Sequence, residues 1–144
     1  MLIDIIQNKG VYVSILLWFL IQLFKFLFEI IKTRKINFKR ILGAGGMPSS
    51  HSAIVCAVTM IVGKEYGFDS GVFAVSLVFS LIVMYDAAGI RRAAGKQAKM
   101  LNKIIETPGL KPVEVHERLV EVLGHTPVQV LVGAIIGIIV GIIC

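Results

Sequence analysis

The sequence predicts an all-α integral membrane protein with about four transmembrane helices, and three observations support this fold class. Hydrophobic residues make up 56% of the chain and the mean hydropathy is +0.85, whereas soluble domains are about 45–50% apolar. Several apolar stretches approach the ~20 residues that a helix needs to cross a bilayer. Basic residues cluster beside these stretches. By length, residues 1–144 form a single membrane domain.

The first predicted span covers residues 11–31. Its length suits a bilayer, and Tyr12 and Trp18 are placed as aromatic anchors. Lys25 and Glu29 lie one helical turn apart within it, so they can pair with each other rather than face lipid singly. We favour the simpler interpretation that Lys25 snorkels to the nearer membrane surface.

The second span, about residues 49–66, begins within the polar stretch GGMPSSHS at residues 45–52. Ser49 or Ser50 can cap this helix. Their hydroxyls, the unpaired N–H groups of the first turn and the positive end of the helix dipole would bind an anion such as phosphate. His51 adds a group that titrates near neutral pH. The alternative is a capped transmembrane helix with a histidine at the interface.

The third span covers about residues 72–88 and ends near Asp86, whose carboxylate lies at the unfavourable end of the helix dipole and needs a cationic partner. An amphipathic helix is predicted over residues 90–105. Its 3.6-residue period separates an apolar face, a lysine-rich face and a stripe of small residues that includes Arg91. We therefore favour Arg91 over Arg92 as the functional arginine, the alternative being that both only mark the cytoplasmic end of the span.

A second amphipathic helix is predicted over residues 112–123, with His116 on its solvated side. The last span covers residues 127–143. At its start, Thr126 and Gln129 make a capping-box pattern, so His125 lies just outside a helix N-terminus. Glycine recurs every four residues in this span, which permits close helix packing in lipid and also a homo-oligomer.

Lysine and arginine are concentrated in two connections, with five in residues 31–49 and seven in residues 89–125. The positive-inside rule places both connections in the cytoplasm, as in a multi-pass protein of the cell's inner membrane. The candidates that this topology brings to the cytoplasmic surface are His51, Asp86, Arg91 and His125. Because the net charge of +6 flanks membrane spans, we expect anionic lipids as partners and no nucleic acid.

Two histidines at helix starts, an arginine and a lysine-rich approach fit phosphoryl transfer through a phosphohistidine. One histidine would attack phosphorus and the other would protonate the leaving oxygen, while arginine and helix N–H groups neutralise the negative charge. This chemistry requires no cofactor. A metal site is disfavoured because neither HxxxH nor HExxH spacing is present.

Three motifs carry a resemblance to a known family: GGMPSSHSA at residues 45–53, YDAAGIRRAAGKQAKMLN at residues 85–102 and LGHTPVQVLVGAIIG at residues 123–137. With them the chain resembles the divergent type-two phosphatidic acid phosphatases, also called YuiD-like and related to acid phosphatases and vanadium haloperoxidases. The resemblance covers nearly the whole chain. It implies that His125 is the nucleophile and His51 the general acid.

The chain departs from the parent superfamily at three points. Gln129 stands where the parent has the acid that follows the nucleophile, so Asp86 is the candidate to orient His125. Arg91 replaces an arginine that is displaced in this sequence. The parental first motif is absent, and the cation that it supplies for phosphate binding is assigned to Lys39 or Arg40.

The resemblance implies a membrane lipid-phosphate or lipid-pyrophosphate phosphatase, a metal-independent phosphomonoesterase whose substrate is a lipid phosphate. The alternative is a non-catalytic binder or carrier of anionic phospholipid with a degenerate phosphatase site. A purely structural small membrane protein is the third hypothesis, and the glycines of the last span are the feature that favours it.

Overall fold

The computed structural model describes residues 2–34, 46–105, 119 and 124–144, and this part of the chain is all α-helical, as predicted. Its helices are α1 (Leu2–Gln7), α2 (Lys9–Thr33), α3 (Ser50–Tyr66), α4 (Gly71–Ala88), α5 (Ile90–Ile105) and α6 (Pro127–Ile143). The helix predicted over residues 112–123, with His116, lies outside the described residues. Lys39 and Arg40 also lie outside them.

Within the described ranges, two helical stretches are long and apolar enough to cross a membrane, Lys9–Ile31 and Gly71–Ile105. Pro127–Ile143 is apolar but has only 17 residues. The helix α3 also has 17 residues, so α3 and α6 each extend about 25 Å at ~1.5 Å per residue. The four-span arrangement stays a prediction.

Each of the four longest helices begins at a side-chain cap. The capping residues are Asn8 for α2, Ser49 for α3, Ser70 for α4 and Thr126 for α6. In each case the side-chain oxygen accepts a hydrogen bond from the backbone N–H three residues later, which satisfies a donor that the helix itself leaves unpaired. The predicted capping box at Thr126 is confirmed.

The helix α3 lies at the centre of the fold, with α2, α4 and α6 packed against it. The glycines of α6 face it. A Cβ atom at Gly133 would collide with the backbone oxygen of Ser49, and one at Gly137 with that of Ala53. Only glycine permits such a close approach of two helices. The glycine stripe is therefore a helix contact within one chain.

The remaining contacts of α3 fix its two flanks. Buried side chains of α2 and α3 form the core, which consists of Val13, Leu17, Ile21, Ala53, Ala57 and Ile61. On the other flank the hydroxyl groups of Thr59 in α3 and Ser76 in α4 lie 2.9 Å apart and share a hydrogen bond. Lys64 Nζ donates to the carbonyl oxygen of Ile142 at 2.8 Å, so the C-terminal ends of α3 and α6 are also joined.

The helix α5 buries its small-residue stripe rather than its apolar face. Gly95, Ala98 and Asn102 are buried. Most of the apolar face is exposed, at Ile90, Leu101, Ile104 and Ile105. Small side chains let the backbone of α5 approach its neighbours closely, and the exposed apolar and basic faces then suit a membrane surface.

Candidate functional site

Backbone hydrogen bonds join three helix ends at one end of the bundle. The N–H of His125 donates to the carbonyl oxygen of Ala87 at the end of α4, at 2.9 Å. The N–H of Ser49 donates to the carbonyl oxygen of Gln129 in the first turn of α6, at 3.1 Å. The starts of α3 and α6 and the end of α4 are therefore held together, and the functional candidates on them are gathered at that end.

His51 and His125 lie side by side although 74 residues separate them in the sequence. Their ring centroids are 6.0 Å apart and the ring planes meet at 61°. His51 is in the first turn of α3, and His125 directly precedes the N-cap of α6. Both rings therefore lie at the positive ends of helix dipoles, where anions bind favourably.

The protonation of the His125 ring is set by the capping box of α6. Its Nδ1 lies 3.3 Å from the side-chain oxygen Oε1 of Gln129, and the same oxygen accepts a hydrogen bond from the N–H of Thr126 at 3.0 Å. Because a backbone N–H can only donate, this Gln129 atom is the amide oxygen, and Nδ1 must carry the proton in their contact. In the neutral ring, Nε2 is then the nitrogen with the free lone pair.

The His125 side chain is buried, with 3% of its surface exposed. This burial lowers the pKa of His125 below its ordinary value of 6.5, and the positive charge of Lys25 lowers it further. The side chain of Gln129 and the backbone of Gly46 act in the opposite direction without reversing the shift. At pH 7 the ring is therefore neutral, which is the state that a nucleophile or general base requires.

In the His51 ring, the nitrogen Nδ1 is buried and makes no hydrogen bond with the described residues. The charges of Arg91, Lys25 and Asp86 all act on this ring. Since buried polar atoms are nearly always hydrogen-bonded, a bound group could complete the contacts of His51.

Asp86 and Arg91 form an ion pair, with Arg91 Nε 2.8 Å from Asp86 Oδ2. Arg91 thus supplies the cation that a carboxylate at the end of α4 needs. At Nδ1 of His125 the structure places Gln129, whereas the carboxylate of Asp86 is engaged by Arg91. The pair is partly exposed, and Nε is only one of the five N–H donors of a guanidinium.

Ser49 and Ser50 are buried at the start of α3. The Ser49 hydroxyl oxygen accepts hydrogen bonds from the backbone N–H of Ser52 at 3.4 Å and from its hydroxyl at 3.1 Å. These contacts are those of a helix cap. Ser49 therefore shapes the first turn of α3, whose remaining N–H groups are donors of the kind that can bind an anion at a helix start.

The structure places the charged residue Lys25 near the site, a position that was not predicted from the sequence. Its side chain is only 7% exposed, so it differs from a snorkelling lysine on a lipid-facing surface. Its charge acts on both histidine rings. A signal was present in the sequence, because Lys25 continues the four-residue spacing of the buried residues Leu17 and Ile21.

Comparison with known proteins identifies the family. A family model described as the Divergent PAP2 family matches residues 6–140. The chain is 40% identical over 128 residues to "Uncharacterized membrane protein YuiD" of Bacillus subtilis (strain 168), with 81% of each chain covered. No solved structure matches the chain. The predicted resemblance is confirmed, and the membrane-protein relative agrees with the apolar helices. The chain belongs to the Divergent PAP2 family.

Proposed function

We propose that this protein is a membrane phosphatase that removes phosphate from a lipid phosphate or lipid pyrophosphate through a phosphohistidine on His125. The observation that carries the proposal is the pair of histidine rings, 6.0 Å apart, at the starts of α3 and α6. A phosphate group bound between the rings would meet a nucleophile, a proton donor and two helix N-termini at once.

In the first step, Nε2 of neutral His125 attacks phosphorus, and the bond between phosphorus and the lipid oxygen breaks. His51 donates its proton to that oxygen, so the lipid leaves as an alcohol, or as a monophosphate when the substrate is a pyrophosphate. The Nδ1–H group of His125 stays hydrogen-bonded to Gln129, which orients the ring and stabilises the positive charge that it gains.

In the second step, water attacks phosphorus, and the bond between phosphorus and Nε2 of His125 breaks. His51, now neutral, takes a proton from this water, so inorganic phosphate leaves and both histidines regain their starting states. In both steps Arg91 and the first-turn N–H groups of α3 and α6 neutralise the phosphoryl oxygens. These roles require no metal ion.

We infer that α2, α3, α4 and α6 each cross the inner membrane and that the site faces the cytoplasm. The five and seven basic residues of the two connections support this orientation. At about 25 Å, α3 and α6 are shorter than a hydrocarbon core of ~30 Å. Their N-termini would therefore lie slightly below the lipid headgroups, a depth that suits a phosphate attached to a lipid.

Phosphate release from a panel of lipid phosphates by the purified protein tests this function. We expect release that a chelator leaves unchanged, that His125→Ala abolishes and that His51→Ala lowers ~10²–10⁴-fold. His116→Ala, which replaces the chain's remaining histidine, is the matched control and should retain activity. Saturable binding of lipid phosphates with no release from any of them would favour the alternative, a non-catalytic binder or carrier of anionic phospholipid.

A further inference from the structure

A cavity of about 640 Å³ lies between α2 and α6, and the 46–48 segment, which precedes the cap of α3, forms part of its lining. This volume falls within the ~300–1,000 Å³ that is usual for small-molecule sites. We call it the α2–α6 groove. Its walls are mainly apolar side chains, among them Leu17, Leu20, Phe24, Val132, Ile136 and Val140.

The polar lining of the groove is confined to one end. Lys25, Glu29 and the 46–48 segment line the end beside the histidines, whereas Leu17 of α2 and Val140 of α6 line the far end. Lys25 and Leu17 are eight residues apart on one helix, which corresponds to about 12 Å. A ligand that matches the groove has a charged group at one end and a hydrocarbon chain at the other.

The polar end is continuous with the candidate site. Gly46 lines the groove and its backbone acts on the His125 ring, and the 46–48 segment leads directly to the cap of α3. The Lys25 side chain is buried at this junction, and its charge acts on both histidine rings. A phosphate at the histidines would therefore have an ammonium group on its groove side, and the charges are complementary.

We infer that the α2–α6 groove binds one hydrocarbon chain of a phosphorylated lipid, with the Lys25 ammonium at the phosphate end. The inference rests on the proposed function and names the substrate class, which is an amphiphile with phosphate at the end of an extended chain. Leu20 and Phe24 are 50% and 55% exposed, so the groove opens sideways between the helices and a lipid can enter from the bilayer. The second chain of a diacyl lipid would remain in the bilayer.

Binding of two non-hydrolysable ligands, hexadecylphosphonate and butylphosphonate, to the purified full-length protein tests the groove separately from catalysis. Leu20→Trp should weaken hexadecylphosphonate binding roughly 5- to 150-fold, because the larger side chain occupies space that the hydrocarbon chain needs. It should leave butylphosphonate binding unchanged. The matched control is Leu16→Trp, which is one helical turn away, 54% exposed and outside the groove lining, and it should change neither.

A second pair of variants tests the charged end of the groove. Lys25→Gln should weaken both phosphonates by the same factor, because the ammonium acts on the headgroup and not on the chain. Lys9→Gln removes the same charge at the other end of α2, outside the groove lining, and should weaken neither. Unchanged binding in Lys25→Gln, or an equal loss in Lys9→Gln, would overturn the assignment of Lys25.

The outcomes separate the groove from the proposed phosphatase. Chain-length-dependent binding that Leu20→Trp abolishes, without phosphate release from any lipid, would support the groove and refute the catalysis. Equal effects of Leu20→Trp on both phosphonates would overturn the groove, whether or not phosphate is released. A Leu20→Trp variant that changes only the oligomeric mass in light scattering would assign the groove to a second copy of the chain and also overturn the inference.

Discussion

The amide oxygen of Gln129 lies 3.3 Å from Nδ1 of His125 and 3.0 Å from the backbone nitrogen of Thr126. One atom therefore closes the capping box of α6 and selects the tautomer of the candidate nucleophile. The resemblance to the parent superfamily places an acid at this position. An amide keeps the orienting hydrogen bond but lacks the negative charge that would raise the pKa of the ring.

Gln129→Glu should raise the pKa of His125, because a carboxylate beside Nδ1 favours the protonated ring. The helix start should survive, since glutamate also completes a capping box. The ring titration, followed by NMR and assigned by its absence in His125→Ala, measures the shift. Gln129→Leu is the control that removes both contacts, and it should lower thermal stability. An unchanged titration in Gln129→Glu would contradict the contact at Nδ1.

The free energy of unfolding should increase with pH across the titration of His125. Burial and then Lys25 lower the pKa of the folded ring below the 6.5 of the unfolded chain. Between these two pKa values the unfolded chain binds more protons than the folded chain. The contribution of the ring to the free energy of unfolding is therefore fully present above pH 6.5 and is lost as the pH falls through this window. His125→Gln should flatten the dependence of the unfolding temperature on pH in detergent. An equally steep dependence in the variant would assign it to other groups.

Arg91→Ala should weaken the binding of vanadate, a phosphate analogue, by roughly 10- to 150-fold, the effect of losing a hydrogen bond to a charged group. Arg91→Lys should recover only part of this, because an ammonium does not reproduce the planar fork of a guanidinium. Arg92→Ala should have little effect, since Arg92 lies about 100° further round α5. Equal losses at both positions would contradict the distinction.

The Asp86–Arg91 ion pair predicts how substitutions at these two positions combine. If Asp86 acts by holding Arg91, then Asp86→Asn combined with Arg91→Ala should bind vanadate no worse than Arg91→Ala alone. A shift in the His125 titration in Asp86→Asn that persists in the double variant would instead support the role that the sequence predicted for Asp86, which is to orient His125.

Gly137→Leu should destabilise the fold more than it changes any chemistry, because a side chain at 137 collides with the backbone of Ala53 in α3. We expect the free energy of unfolding to fall by ~1–3 kcal/mol, since a backbone atom cannot move aside as a flexible side chain can. Thermal unfolding in detergent measures it. Ile139→Leu, at a half-exposed position of the same helix, is the control, and equal stability of the two variants would place the glycine stripe away from α3.

Membrane orientation can be tested with single cysteines introduced into a chain that lacks Cys56 and Cys144. In intact cells, cysteines at Thr33 and Lys111 should be protected from an impermeant thiol reagent, and one at Asp69 should react. The reason is the concentration of basic residues in the connections that contain Thr33 and Lys111. Reaction at Lys111 but not at Asp69 would invert the topology and move the site outside.

Features that depend on neighbouring residues are predictable from the sequence alone. Ser49, Thr126 and Gln129 mark helix starts because a cap bonds to the backbone within three residues. From these starts and the basic connections it follows that both histidines lie at one end of the helices. The family, and with it the candidate roles of His51 and His125, is also carried by short motifs.

Which faces of the helices point inward depends on the tertiary fold and could not be predicted from the sequence pattern. In a membrane the lipid-facing and protein-facing sides of a helix are both apolar, so hydrophobic periodicity does not distinguish them. The burial of Lys25, the contact of Gly137 with α3 and the burial of Gly95 and Ala98 in α5 depend on which helix lies opposite. The sequence spacing alone also does not predict that Asp86 pairs with Arg91 and Gln129 with His125, because each of these side chains has more than one candidate partner nearby.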